Sequence, residues 1–409
     1  MNTITLKVTA VANGGAAIGH DQKGQIIFVP YAIPGETVEV ALDQGKSGYN
    51  RASLVRVVQA SPQRVQPRCP HFGVCGGCQL QHMTYAAQLQ AKQSIVADQL
   101  QRIGGLKQAS VRPILPHPTP WHYRTDLSLS PTGDGGYGLW SPSLRQVIPI
   151  ETCPILHEDL LALLQDIDLT LPGLRKLTLR IGDDGALLAA LEVDDIEPPE
   201  LEVDFPLSVA LVLPDKTAAS LIGDNYVVQA VNGRDFRVSP GCEFQTSQAG
   251  AELVLQTVLA YANLGGREVV LELYSGVGML TAFLAAQAAQ VAAVEVNEDA
   301  VADTAVNLAD YDNVSLYQGW VEDVLPALDV APALIVVNPP AEGLSKEALQ
   351  GVTAVAAPRL IYVSSDIATL ARDGKHLSRA GYRLVEIQPI DTQPQTYRME
   401  TVSLWAWRP

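Results

Sequence analysis

From Arg237 to the carboxy terminus one pattern repeats. VVLEL, VAAVEV, LIVVNPP and RLIYVSS are short, nearly continuous apolar runs separated by segments of helical length. Strands buried on both faces read this way, and helices between them make neighbouring strands parallel. This third of the chain is therefore expected to form a doubly wound, mostly parallel, Rossmann-like α/β sheet. GAELVLQTVLAYANL precedes it as a helix candidate, and RLVEIQPI and ETVSLWAW predict an antiparallel edge. Ligands of such sheets sit at the carboxyl ends of the strands, where Tyr274, Glu295, Asn338 and Ser365 all fall.

VVLELYSGVGMLTAFLAA reads as strand, glycine turn and helix. Gly276 and Gly278 permit a sharp turn and close approach of the backbone to a ligand. Thr281 stands where the third glycine of a dinucleotide fingerprint belongs, and no lysine follows the glycines, which excludes a P-loop. Glu295 ends the second strand, at the distance where an acid meets ribose hydroxyls. Asn338-Pro339-Pro340 forces an extended turn after the third strand. Together these fit an S-adenosylmethionine site better than an NAD site; the plainer alternative is a tight turn with Glu295 as a helix cap.

The rest of the chain divides by composition. Residues 1–60 carry ITLKVTAVA, QIIFVPYA, ETVEVAL and ASLVRVVQA, split by turn signals, and predict a small closed β-barrel of the kind that binds oligonucleotides or merely packs on its neighbour. Pro62, Pro67 and Pro70 open a segment, residues 61–110, that holds CPHFGVCGGCQLQH and a helix capped at Thr84 and stopped at Gly104-Gly105. Residues 111–236 alternate strand-like runs with Pro- and Asp-rich turns and read as a β-rich central domain. Residues 237–409 are the α/β domain.

Cys69, Cys75 and Cys78 lie too close together, and five cysteines are too few, for a disulfide scaffold in 409 residues. They read as soft ligands for an iron–sulfur cluster or for zinc, with His71 and His82 nearby. Ligation by free thiols, an amino terminus MNTITLKVTA without an apolar h-region, and the lack of any membrane-length apolar run point to a cytoplasmic protein that does not enter a membrane. The net charge of −16 is uneven: up to Ser110 there are 10 basic and 5 acidic residues, and beyond it 18 and 39. A basic front on an acidic body leaves nucleic acid open as a partner. Arg51, Arg56, Arg64, Arg68, Lys92 and Arg102 are candidates for phosphate contacts, with solvated surface charge as the equal alternative.

Taken together the motifs resemble the RNA uracil-C5 methyltransferases over nearly the whole length. GGAAIGHDQKGQIIFVPYAIPGETVEV resembles a TRAM barrel, and the cysteine spacing resembles the family's iron–sulfur segment, which implies a [4Fe-4S] cluster on Cys69, Cys75, Cys78 and the distant Cys153. SPGCEFQTSQAGAELV implies Gln245 as a contact to the methyl donor. LELYSGVGMLTAFLA and VEVNEDAVADTAVNLA imply Tyr274, Gly276, Gly278 and Glu295, and NPP implies Asn338. PQTYRMETV implies Glu400 as the base. Cys242 is assigned to packing. Trp121, Tyr123 and Arg124 are similar to a substrate-side segment, where an aromatic stacks on an extruded base or belongs to the core.

The resemblance implies a mechanism in which a cysteine thiolate adds to carbon 6 of uracil, and here the sequence departs from it. The chain reads YVSSDIATLARD where YVSCNPATLARD is usual, so Ser365 stands at the nucleophile position. Ala341 replaces an arginine, Asn338 an aspartate, Gln393 a phenylalanine and Arg398 a histidine of the family pattern. A serine hydroxyl ionises far less readily than a thiol. The expectation is a monomer, with no obligate protein partner, that binds rRNA or tRNA and S-adenosylmethionine but methylates uridine slowly, or that acts as a non-catalytic RNA-binding or folding protein.

Overall fold

The computed structural model describes residues 3–42, 50–132, 136–167, 169, 171, 173–193, 202–215 and 217–408. β1 (Thr3–Val11), β2 (Ala17–His20), β3 (Ile26–Val29), β4 (Thr37–Leu42) and β5 (Asn50–Gln59) close into a barrel in the order β1-β2-β3-β5-β4. Alternation decides which face is inside: in β4, Val38 and Val40 are buried while Thr37 and Glu39 point outward. They pack with Leu6, Val8, Ile27 and Val29. Glu36, wholly buried beside β4, is gripped by Arg64 through Nε at 2.6 Å and Nη2 at 2.7 Å.

α1 (Tyr85–Arg102) follows the cysteine segment, and the Thr84 side chain accepts from the Ala87 amide as its cap. Past its end Gly105 takes φ +67°. Its buried stripe, including Ala87, Ala91, Ile95 and Leu100, joins the core of the α/β sheet.

β6 (Asp126–Pro131), β7 (Tyr137–Ser141), β8 (Gln146–Pro149), α2 (Glu158–Asp166), β9 (Leu174–Ile181), β10 (Leu187–Val193), β11 (Ser208–Val212) and β12 (Ala218–Ile222) form the central region. Its strands make one sheet in the order β12-β11-β10-β9-β6-β7-β8, and α2 seats Leu160 and Leu163 in the same core. One pair, β10 with β11, is parallel. β13 (Val227–Val231) and β14 (Arg234–Val238) form a separate hairpin whose Asn232-Gly233 turn has positive φ at both positions.

α3 (Gln248–Ala262) leads into β15 (Val269–Leu273), α4 (Met279–Ala285), β16 (Gln290–Glu295), α5 (Glu298–Asn307), β17 (Val314–Gln318), α6 (Val321–Val324), β18 (Leu334–Val337), α7 (Lys346–Val355), β19 (Arg359–Ser364), α8 (Ile367–Ala380), β20 (Tyr382–Ile390) and β21 (Glu400–Trp407). The sheet order is β17-β16-β15-β18-β19-β21-β20. Strands β15 to β19 are parallel, and all four residues of β18 are buried. The expected antiparallel edge is present, but the last strand is inserted between β19 and β20 rather than outermost. Among the described residues no helix is long and apolar enough to cross a membrane.

Candidate active site

Parallel register brings the strand ends together. Leu273 pairs with Val294 and with Val337, so Tyr274, Glu295 and Asn338 follow side by side at one edge. Gly276 and Gly278 carry φ +58° and +84°, and Tyr274, a non-glycine, φ +62°. Such a conformation costs a side-chain-bearing residue about 1–3 kcal/mol and is held by its surroundings. Glu295 is the brace: Oε2 accepts from the Gly276 amide at 2.9 Å, and Oε1 from the Val296 and Asn297 amides, each at 2.8 Å. Burial pushes the Tyr274 hydroxyl up to about 12.

Glu400 opens β21 and is buried. Burial pushes its carboxyl up to about 7, against a hydrogen bond from Gln245, whose Nε2 donates to Glu400 Oε2 at 3.2 Å. The loop carrying Gln245 is anchored by Asp303 of α5, which accepts from the Ser239 amide at 2.6 Å and its hydroxyl at 2.9 Å. Ser364, the last residue of β19, pairs with Thr401, so Ser365 follows just past the end of the pairing that begins beside Glu400. Ser365 is exposed, and the hydroxyl of its neighbour Ser364 is the one engaged locally, donating to the Asp366 carbonyl at 2.9 Å and accepting from the Asp366 amide at 3.2 Å. The neighbouring Asp366 is committed as the cap of α8, accepting from the Ala368 and Thr369 amides.

Cys69, Cys75, Cys78 and Cys153 line one small pocket together with Arg124 and Gln81. Burial pushes all four thiols up, Cys78 to about 12. Among the described residues no three His, Cys, Asp or Glu side chains stand close enough to hold a single metal ion. Four thiols around one pocket are nonetheless a donor set suited to soft metal chemistry. Cys242 lies elsewhere, buried with its Sγ 3.7 Å from Asp303 Oδ2, and packs as assigned.

Two of the proposed RNA contacts are committed inside the protein and two are paired at its surface. Lys92 is wholly buried and paired with Asp391 at 2.5 Å, so it is not a phosphate contact. Arg64 holds Glu36, Arg56 pairs with Glu39, and Arg102 with Asp98. Arg51, Arg56, Arg68 and Arg102 are exposed, and the Arg68 guanidinium stacks over Trp121 at 4.6 Å. Tyr123 is a core residue whose hydroxyl donates to the Pro394 carbonyl at 2.9 Å, which removes it as a stacking platform. Sequence reasoning also passed over Glu272, an acid fully buried in β15 and pushed up to about 8. The signal was visible as a lone acid in the apolar run VVLEL.

A barrel joined to a doubly wound sheet with an acid-braced glycine turn defines the class of S-adenosylmethionine-dependent methyltransferases. A TRAM domain model matches residues 2–55, and a model described as ribosomal RNA adenine dimethylase matches residues 236–325. An uncharacterized RNA methyltransferase of Halalkalibacterium halodurans is 30% identical, over 98% of this chain and 96% of its own. Another, of Synechocystis sp., is 32% identical, over 98% and 94%. The chain belongs to this RNA methyltransferase family. Its fold is also that of the Pyrococcus abyssi tRNA (uracil-54, C5)-methyltransferase crystallised with S-adenosyl-L-homocysteine, with a TM-score of 0.74, 24% identity and coverage of 98% and 99% of the two chains.

Proposed function

We propose that this methyltransferase acts on carbon 5 of a uridine in rRNA or tRNA, with S-adenosylmethionine as methyl donor and Glu400 as the base. The observation that supports the reading is the meeting of Gln245 and Glu400 from segments far apart in the chain, with the Ser365 position just past the end of the strand that pairs with β21. A carboxyl raised to about 7 suits removal of a proton from carbon 5 near neutral pH. Tyr274, Gly276, Gly278, Glu295 and Asn338 are the candidate contacts to the donor, which supplies the methyl group. The amino-terminal barrel, with Arg51, Arg68 and Trp121, is the candidate grip on RNA.

Cys69, Cys75, Cys78 and Cys153 are the proposed ligands of a [4Fe-4S] cluster. Thiols spread around a pocket suit a cluster better than one zinc ion, which needs its four ligands closely drawn in. The nucleophile position holds an exposed serine, whose hydroxyl ionises far less readily than a thiol, so slow or absent turnover is part of the reading. That same observation favours a second reading, an RNA- and donor-binding protein without turnover. Mass spectrometry of uridines after incubation with donor and candidate RNA distinguishes them. Ser365→Cys is expected to form 5-methyluridine faster than the natural chain. Efficient formation by the natural chain, lost in Ser365→Ala, would show that the serine is competent and overturn the slow-turnover reading.

A further inference from the structure

The loop between β20 and β21 runs directly into Glu400, yet it is not a surface loop. Asp391, Thr392, Gln395 and Thr396 are all buried. A buried loop must find partners for its main-chain polar groups, and here they come from the other end of the chain. Lys92 Nζ donates to Asp391 Oδ1 at 2.5 Å, to the Gln393 carbonyl at 3.1 Å and to the Arg398 carbonyl at 2.6 Å. One ammonium thus uses three donors on one loop and ties its two ends together. Gln88, one turn earlier on α1, exchanges hydrogen bonds with Gln395: its Nε2 donates to Gln395 Oε1 at 2.9 Å and its Oε1 accepts from the Gln395 amide at 3.0 Å. The Gln79 and Leu80 amides, just after Cys78, donate to the Gln395 carbonyl at 3.2 and 2.9 Å.

We propose that Lys92, assisted by Gln88, is the positioning residue for Glu400: α1 clamps the loop and thereby fixes where the base is presented. Part of this rests on the reading of Glu400 as base, but the clamp itself does not. A wholly buried ammonium is a costly way to fill space, since an apolar side chain of similar volume would pack there without desolvating a charge. What it adds is direction: three acceptors must be met at once, so the loop has one arrangement. The charged or titratable groups around it are Asp391, Tyr85, His117, Tyr123 and Cys78.

The test uses the full-length chain and needs no turnover. Lys92→Met and Gln88→Ala are compared with the natural protein by near-ultraviolet circular dichroism, by amide hydrogen exchange over 391–399, and by carbon-13 NMR titration of the Glu400 carboxyl, identified by its loss in Glu400→Gln. The expected result is a natively folded Lys92→Met in which loop exchange accelerates at least about tenfold and Glu400 titrates lower than in the natural chain, with Gln88→Ala shifted the same way to a smaller extent. Two folded variants with unchanged exchange and titration would overturn the proposal. Should Lys92→Met fail to fold, Gln88→Ala decides on the same two readouts. In the Ser365→Cys background, a Glu400→Gln change that leaves methyl transfer at the level of its active parent would instead refute Glu400 as base and leave the clamp standing.

Discussion

Gln245 and Glu400 stand 155 positions apart in the chain, and the amide of the first donates to the carboxyl of the second at 3.2 Å. The bond joins the loop after β14 to the first residue of the last strand. It also opposes the burial that raises Glu400 to about 7.

A pH dependence follows from that opposition. With Glu400 as the proposed base, only its ionised carboxylate can take up the proton, so turnover is expected to rise with pH through about 7 and then level. Gln245→Ala removes the stabilising hydrogen bond and should move this limb to higher pH. Glu400→Gln should lower turnover by at least ~100-fold. Both are measured by methyl transfer in the Ser365→Cys background, where turnover is expected to be fastest.

Glu272 makes stability itself depend on pH. Burial raises it from an ordinary 4.5 to about 8, so between those values the unfolded chain releases a proton that the folded chain keeps. Its contribution is full below about 4.5 and is lost as pH rises toward 8, at up to ~1.4 kcal/mol per pH unit. Urea unfolding of Glu272→Gln across this window should show a flatter slope than the natural chain, and an identical slope would clear Glu272 of the effect.

The two glycines of the turn should not respond alike. At Gly276, φ +58°, a methyl group would meet nothing within 4 Å, so Gly276→Ala should cost only the left-handed backbone strain of about 1–2 kcal/mol. At Gly278, φ +84°, the added carbon would lie 2.9 Å from Thr304 Cγ2 and clash as well. Gly278→Ala is expected to be the more destabilising in denaturant melts.

Two arginine–glutamate pairs of the barrel offer a contrast in burial. Arg64→Met strands the wholly buried Glu36 and should cost about 3–5 kcal/mol. Arg56 is 68% exposed in its pair with Glu39, and Arg56→Met should leave the melting temperature nearly unchanged. Thermal melts of the two variants give the comparison.

Anaerobically prepared protein is expected to be brown, with a broad absorption near about 400 nm from iron–sulfur charge transfer. Cys153→Ser should bleach it although Cys153 lies far from the other three in sequence. A colourless protein containing stoichiometric zinc would assign the pocket to that metal.

The local chemistry of this chain was legible residue by residue. Apolar runs alternating with helices named the doubly wound sheet, Thr84 and the Gly104-Gly105 pair bracketed α1, and the glycine turn with Glu295 two elements on marked a candidate site, because each depends on neighbours in sequence. The alternating runs before residue 60 likewise contained the barrel. Charge was another matter. Lys92 and Arg64 looked like surface groups because a sequence shows that a side chain is charged, not what opposes it. Their partners, Asp391 and Glu36, are brought by the fold from elsewhere in the chain. Tyr123 entered the core for the same reason. The insertion of β21 beside β19, which brings Glu400 to the end of the strand that precedes Ser365, is a choice of sheet order that no local propensity encodes. It is settled only when burial of both sheet faces and pairing of every strand are satisfied together.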